Sequence, residues 1–329
     1  MNETTINIQK SARVPELNIL NWVTRYFIQL LLIAVAAGLG MANPYFRTAT
    51  NLQNILLQAS FSGIGAVGMT LLIASGAFDL SVAGLLGICG VILAKLIPGV
   101  GVTLAIAASL MIGFGLGVLN GLVVTKLQIP AFIATLGMMN IYLALAFILT
   151  SGEVIPVSNV TFQFLGTGTA FGVLPVPFIV MILIYVCCQG ILSRTIVGRY
   201  LRAVGSNEIA ARKAGLPVDK IRIIAFAIVG GCTGLAATFL TAELSSANAT
   251  MASGYELTVI AVVVIGGTSL KGGKATLFGS FAGALFFSVI ANALNIFGVG
   301  AYWQYVVTGL FLICALGAQA LRGSVQSIE

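Results

Sequence analysis

Residues able to do chemistry are scarce in this sequence, and those present favour contact over catalysis. None of the 329 residues is histidine, so the commonest general base, proton shuttle and metal ligand is missing. No paired carboxylates, Ser/His set or metal-spaced cluster takes its place, so neither catalytic nor metal-ligating residues are expected. The five cysteines, Cys89, Cys187, Cys188, Cys232 and Cys314, lie in apolar runs without CxxC spacing. They read as small buried hydrophobes rather than disulfides or ligands. Two strings resemble phosphate loops and fail as such. Residues 63–68, GIGAVG, continue as one apolar run with no preceding strand, and residues 267–275, GTSLKGGKA, misplace the first glycine and have Ala275 where a Ser or Thr would hold magnesium. No nucleotide-hydrolysing site, and no cofactor of the chain's own, is therefore expected.

The informative polar segment is GSNEIAARKAGLP, residues 205–217. Ser206 or Asn207 can cap a helix, with Glu208 in its positive first turn and Arg212 and Lys213 in its negative last turn. Gly215 suits the position just past the helix and Pro217 prevents continuation. Glu208 and Arg212 also form an i,i+4 pair. A two-turn helix is specified where a loop needs none, and Ala210 and Ala211 offer a flat face that another protein could approach closely.

A second group consists of polar side chains in apolar surroundings. An Asp at the bilayer centre costs about 2.5–3.5 kcal/mol on insertion scales, so Asp79, at a junction between apolar runs, needs a reason to be there. One reason is capping of the helix that starts after it; a gating or solute-contacting role is the other. Asn292 and Asn295 are spaced i,i+3, and Asn140 lies within another apolar run. Such amides either join helices or line a wet translocation path.

The elements that must position these residues are set by composition. Charged residues make up 8% of the chain and apolar ones 59%, too little charge for the surface of a water-soluble globule of this size. The expectation is an all-α, polytopic transmembrane bundle of about ten spans. These run roughly over 27–43, 53–75, 79–97, 100–125, 129–150, 174–193, 222–242, 255–270, 275–296 and 302–321. Broken or re-entrant helices are expected near 76–80 and 266–275, where the spans are short or interrupted by glycine. Residues 1–26 form an N-terminal segment, 27–321 a single transmembrane domain containing the loop 194–222, and 322–329 a tail. In this arrangement 14 of the 16 Lys and Arg residues fall on one side, seven of them in that single loop, while only Arg47 and Lys95 fall on the other. The positive-inside rule then assigns both termini to the cytoplasm and the 151–173 and 243–254 loops to the outside. It also accounts for the net charge of +7 without nucleic acid. The first apolar run reads as a signal anchor that is retained.

At these residues a resemblance becomes visible. EIAARKAG is similar to the EAA loop of ABC-importer permeases, with Ile209 inserted between the Glu and the Ala pair. AVGMTLLIASGAFDLSVAGLLG (66–87), GRYLRAVGSNEIAARKAGLPVDKIRI (198–223) and GYELTVIAVVVIGGTSLKGGKATLFGSFAGAL (254–285) look like the ribose-type carbohydrate permease family, from about residue 45 to 321. One departure is Ala77–Phe78 before Asp79, where members often carry Gly-Ile or a similar pair. The resemblance implies an inner-membrane permease subunit of a bacterial ABC importer for a sugar or similar small polar solute. It implies a cytoplasmic ABC ATPase that uses ATP and magnesium, a periplasmic solute-binding protein and a second permease copy or paralogue as partners, within membrane lipid. Residues 206–215 would be the coupling helix, with Ser206, Asn207, Glu208, Ala210, Ala211, Arg212 and Gly215 at the ATPase contact. The rival reading is an ion-coupled secondary transporter of a small neutral solute. The absence of His, and the placing of Asp79, Lys95 and Glu256 at span ends, weighs against proton coupling.

Overall fold

The computed structural model describes residues 26–300 and 302–325. The expectations for residues 1–25, among them Lys10, Arg13 and Arg25, and for 326–329 lie outside the described residues, as does the side chain of Arg322. The described chain is a helical bundle with thirteen α-helices. In order they are α1 (Phe27–Ala42), α2 (Ala49–Ala74), α3 (Val82–Val100), α4 (Val102–Lys126), α5 (Ala131–Thr150), α6 (Val160–Thr167) and α7 (Val176–Arg194). There follow α8 (Ile196–Ser206), α9 (Glu208–Lys213), α10 (Val218–Leu244), α11 (Tyr255–Ile265), α12 (Leu277–Ile296) and α13 (Tyr302–Val325). Seven of these, α2, α3, α4, α5, α7, α10 and α12, are long and apolar enough to cross a membrane, and α1, α11 and the described part of α13 are shorter apolar helices. The all-α polytopic class expected from composition is what the structure shows.

Helix α2 is the axis of the bundle. Every residue from Ser62 to Ala74 is buried, which is why its sequence is apolar or small on all faces rather than on one stripe. Helix α10 packs along α4, with α2 and α3 on its other flanks. The α4–α10 approach is close because glycines face each other: a Cβ on Gly121 would lie 2.8 Å from the Ile223 Cα, and one on Gly230 would lie 2.9 Å from the Gly117 Cα. The Gly113, Gly117, Gly121 stripe is thus a packing face. The tempting string 63–68 lies inside α2, where Gly65 and Gly68 admit the Tyr255 ring and the Val229 backbone.

Large apolar side chains are exposed on the outer flanks of the bundle, for example Met111, Ile148 and Leu183. Exposed apolar surface of this extent belongs against hydrocarbon or another membrane subunit. Three of the cysteines are buried, whereas Cys187 and Cys314 face outward, because neighbouring helical positions are about 100° apart and one face of each helix looks away from the bundle.

Both expected breaks are present. Helix α2 stops at Ala74 and α3 starts at Val82, three residues later than the apolar run suggested. The stop is a Schellman cap: Gly76, at φ +81°, donates to the Ile73 carbonyl, and Ala77 donates to that of Leu72. Helix α11 ends the same way, with Gly267 at φ +90° donating to Val264 and Thr268 to Val263. The non-helical segment that follows reaches α12, where Thr276 donates its hydroxyl to the Gly266 carbonyl at 2.7 Å. Part of this irregular backbone is satisfied within the protein: Ser269 donates to the Lys274 carbonyl at 3.1 Å and the Thr276 N–H to Thr268 Oγ1 at 3.2 Å.

The loops 151–173 and 243–254 meet at the opposite end. Ile155–Pro156 (β1) pairs antiparallel with Ser246–Ala247 (β4), and Thr169–Ala170 (β2) pairs with Leu174–Pro175 (β3). The first pairing places the two loops on the same face of the bundle. Neither the strands nor α6 was marked by a hydrophobic period.

Candidate functional site: a capped helix, a glycine junction and a buried carboxylate

Helix α9 forms where its local signals place it. Asn207, rather than Ser206, is the cap: its Oδ1 accepts from the Ala210 N–H at 2.9 Å. Ser206 closes α8, donating its hydroxyl to the Arg202 carbonyl at 2.8 Å. At the far end Gly215 takes φ +78° and donates to the Arg212 carbonyl, while Leu216 donates to that of Ala211. This is the same Schellman arrangement as at Gly76, and it needs a residue free to take a positive φ.

Charge fixes the helix to the bundle. Glu208 accepts from Arg212 at 3.1 Å and from Arg222, at the start of α10, at 2.7 Å; Arg212 also donates to Asp219. The Arg222 hydrogen bond is the main cause holding the Glu208 carboxyl below its ordinary range, with Arg212 adding to it, so the group stays ionised at neutral pH. The guanidinium of Arg212 is in turn pushed up, first by its bond to Asp219 and then by that to Glu208.

The alanine pair divides. Ala211 is buried against the bundle and Ala210 is exposed, since consecutive positions are about 100° apart on a helix. The outward face of α9 is therefore Ile209, Ala210 and Lys213, with Ile209 69% exposed. Ile209 is thus an exposed apolar side chain at a polar end of the molecule, a feature that its reading as an insertion in the EAA-like run does not convey. Its signal was present: an apolar residue one position after a capped Glu, on the face away from Ala211.

Helix α9 is reached through Gly205, the last residue but one of α8, and here three segments converge. A Cβ on Gly76 would lie 3.5 Å from the Gly205 Cα, and one on Gly272 would lie 2.9 Å from the Cα atoms of both Gly205 and Gly76. Gly273 donates its N–H to the Ala74 carbonyl at 3.1 Å. The end of α2, the approach to α9 and the loop between α11 and α12 thus touch backbone to backbone. These are also the places where the sequence runs 66–87, 198–223 and 254–285 come together. A cavity of about 670 Å³ lies between this junction and the ion-paired helix, bordered by Gly76, Thr125, Gln128, Glu208, Asp219 and Arg222.

Asp79 sits in the α2–α3 break and is fully buried. Its Oδ1 accepts from the Ser81 N–H at 2.7 Å, satisfying a free donor at the start of α3, and its Oδ2 accepts from Asn120 Nδ2 at 3.0 Å. Asn120, on α4, donates also to Ser81 Oγ at 2.7 Å and accepts from the Tyr142 hydroxyl of α5 at 2.7 Å. Thr135 Oγ1 accepts from the Leu80 N–H at 3.1 Å. The carboxylate thus ties α3, α4 and α5 together at the break. Asn120 and Tyr142 were not singled out from the sequence; the one available signal was that Asn120 adjoins Gly121 at the edge of the glycine stripe.

The other amides diverge. Asn292 is buried and donates to Asn51 Oδ1 of α2 at 2.8 Å, joining two helices. Asn295, three residues on, is exposed and accepts from Gln304 at 3.1 Å. Asn140 is exposed on α5, with its amide donating to the Leu136 carbonyl one turn back at 3.2 Å. The shared face expected for Asn292 and Asn295 does not hold them in a common environment, because Asn295 lies in the last turn of α12, where the packing of α2 no longer covers it.

Membrane-length helices around a buried axial helix, with a capped, charged helix at one end linked to a polar break, define a membrane permease component. The chain belongs to the family described as branched-chain amino acid transport system / permease component, whose model matches residues 51–316. It is similar to the ribose import permease protein RbsC of Escherichia coli K12, 39% identical over 292 residues, covering 87% of this chain and 90% of the relative. RbsC of Bacillus subtilis 168 is 37% identical over 293 residues, covering 88% and 90%. The L-arabinose transport system permease protein AraH of E. coli K12 is 38% identical over 281 residues, covering 83% of each. No solved structure matches the chain. The protein is a multi-pass inner-membrane permease.

Proposed function

We propose that this chain is the membrane-spanning subunit of an ABC importer that carries a pentose or closely similar neutral sugar into the cytoplasm. Its ten passes leave both termini in the cytoplasm. A partner ATPase, which binds the ATP and magnesium, docks on the outward face of α9. A periplasmic solute-binding protein delivers the sugar at the opposite end, where α6 and the β1–β4 pair lie, and a second permease copy or paralogue completes the pathway. The ribose and arabinose permeases named above support the substrate class at 37–39% identity.

The observation that carries the reading is the mounting of α9. It is rigidly capped, ion-paired to α10, and joined through Gly205 to the end of α2 beside the Asp79 break. A push on α9 is therefore delivered to the two helices that line the core, rather than being absorbed by a flexible loop. Motion of packed elements about such a contact is how a nucleotide cycle in one subunit changes access in another.

Two variants test it in the complete transporter. Gly215→Val forces a β-branched residue into a positive-φ cap, at a cost of about 1–3 kcal/mol. Uptake of labelled D-ribose or L-arabinose is expected to fall at least tenfold while ATP hydrolysis continues. Ile209→Asp alters only the exposed face and is expected to release the ATPase on purification. Normal uptake in both variants would sink the coupling role of α9.

A further inference from the structure

At the end of the bundle away from the Gly205 junction, α2, α11, α12 and α13 border an open pocket of about 340 Å³. That is within the range of small-molecule sites, roughly 300–1,000 Å³. No charged side chain lines it, yet hydrogen-bonding groups from four helices converge on it: Gln58 and Ser62, Tyr255 and Thr258, Ser288, and Tyr305. Polar groups at this density inside a bundle of otherwise apolar helices join helices directly or border a wet space. Here they border the space.

The direction of their hydrogen bonds sets what the cavity wants. The Tyr255 hydroxyl donates to the Phe61 carbonyl at 2.8 Å, that of Tyr305 to Ser253 at 3.2 Å, and that of Thr258 to Gly254 at 3.2 Å. Each of these hydroxyls has committed its hydrogen to backbone, so lone pairs remain to offer. Gln58 Oε1 is buried with no hydrogen-bond partner, an uncompensated acceptor of a kind that folded proteins rarely keep. The lining is thus uncharged and mainly apolar, walled by the rings of Tyr255, Tyr305 and Phe287, with acceptors set around it. A neutral molecule bearing several hydroxyl donors on a compact carbon ring is its complement. A cation finds no counter-charge there, and an acyl chain would leave the acceptors unpaired.

We propose that this cavity holds the transported solute, a neutral polyhydroxylated molecule of pentose size, with Gln58 as its principal acceptor and Ser288 and Tyr305 at its wall. The proposal rests on the importer reading, and names where on the chain the sugar is held.

The test uses the complete transporter with Cys187 and Cys314, the two exposed cysteines, replaced by serine in every arm. Gln58→Leu keeps the length and removes the amide. The half-saturating concentration of D-ribose or L-arabinose is expected to rise, or the uptake rate to fall, at least tenfold, with the assembled transporter recovered from the membrane in the parent's yield. In the same cysteine-replaced background with Gln58 retained, Ser288→Cys is expected to react with a small membrane-impermeant thiol reagent added from outside. D-ribose or L-arabinose should slow that reaction at least threefold. Uptake by Gln58→Leu within twofold of the parent, together with sugar-independent labelling at 288, would overturn the cavity assignment while leaving the importer reading intact. If the parent imports neither sugar, the importer reading fails for these sugars, and protection at 288 alone then decides whether the cavity binds them.

Discussion

Asp79 shows how a buried carboxyl can be made tolerable. Both carboxylate oxygens are engaged, by the Ser81 N–H and by Asn120, and Asn120 is itself held by Tyr142. Removing the carboxylate in Asp79→Ala leaves the Ser81 donor and one Asn120 hydrogen buried and unpaired, at about 1–3 kcal/mol for each. The expected result is a lower unfolding temperature in detergent and less protein in the membrane. Asp79→Asn can still accept from Ser81 but turns an amide toward an amide, so a smaller loss is expected on both measures. Equal behaviour of the two variants and the parent would show that the network does not hold the break. Of the two alternatives the sequence left for Asp79, the structure shows a local turn contact: it accepts from the N–H of Ser81, two residues on, while Ser81 itself occupies the N-cap of α3 without a side-chain cap bond. The second contact of Asp79 was not readable: Asn120 lies 41 residues away, and only the crossing of α3 and α4 brings it in. The same contrast separates Asn207, a local cap, from Asn292, whose partner Asn51 is 241 residues away.

The elements were legible to the extent that each is specified by its own stretch of sequence. Helix α9 is bounded by Asn207 and Gly215, so its existence followed from capping alone, although it proved to be one and a half turns of a longer α8–α9 assembly. Helix α8 is strongly amphipathic, with Gly198, Leu201 and Val204 at three-residue spacing facing the bundle, and a search for long apolar runs passes over it because it is short and carries Arg199 and Arg202. The junction it delivers is the element-level consequence. A Cβ at Gly205 would lie 2.6 Å from the Gly273 nitrogen and closer still to the Ala74 carbonyl, both of them backbone atoms that cannot swing aside. Gly205→Ala must therefore part α8 from α2 or from the α11–α12 loop, at a cost of about 1–3 kcal/mol for an overpacked contact. Uptake by the complete transporter is expected to fall severalfold or more, with the ATPase still bound. Gly137→Ala, on α5 where nothing lies within 4 Å of the added carbon, is the control and should leave uptake unchanged. Wild-type uptake in Gly205→Ala would mean that the contact among Gly76, Gly205 and Gly272 transmits nothing.

On the scale of the whole molecule, hydropathy set the class and charge set the orientation, and the two carry different weights. An apolar run counts as a span only by length, and α11 shows the weakness of that rule: its 11 residues rise about 16 Å, near half of the roughly 30 Å hydrocarbon core. The loop that follows it packs through Gly272 against Gly76 and Gly205 and through Thr276 against the Gly266 carbonyl, contacts that no hydropathy window weighs. Charge is a separate witness. In the folded chain Arg194, Arg212, Lys213 and Arg222 lie with α9 at one end, whereas Arg47 precedes α2 and Lys95 is in the last turns of α3, both toward the end where β1 meets β4. Under the positive-inside rule, cations this unevenly divided assign the basic end to the cytoplasm, which is the orientation proposed here. Reporter fusions test the inference directly. On that orientation alkaline phosphatase joined after Gly172, in the turn between β2 and β3, should be active, and the same enzyme joined after Gly215 should be inactive. A fluorescent protein at the C-terminus, dark when exported, should glow. Activity after Gly215 would turn the bundle over, putting α9 out of reach of any cytoplasmic ATPase and removing the basis of the importer reading at a stroke.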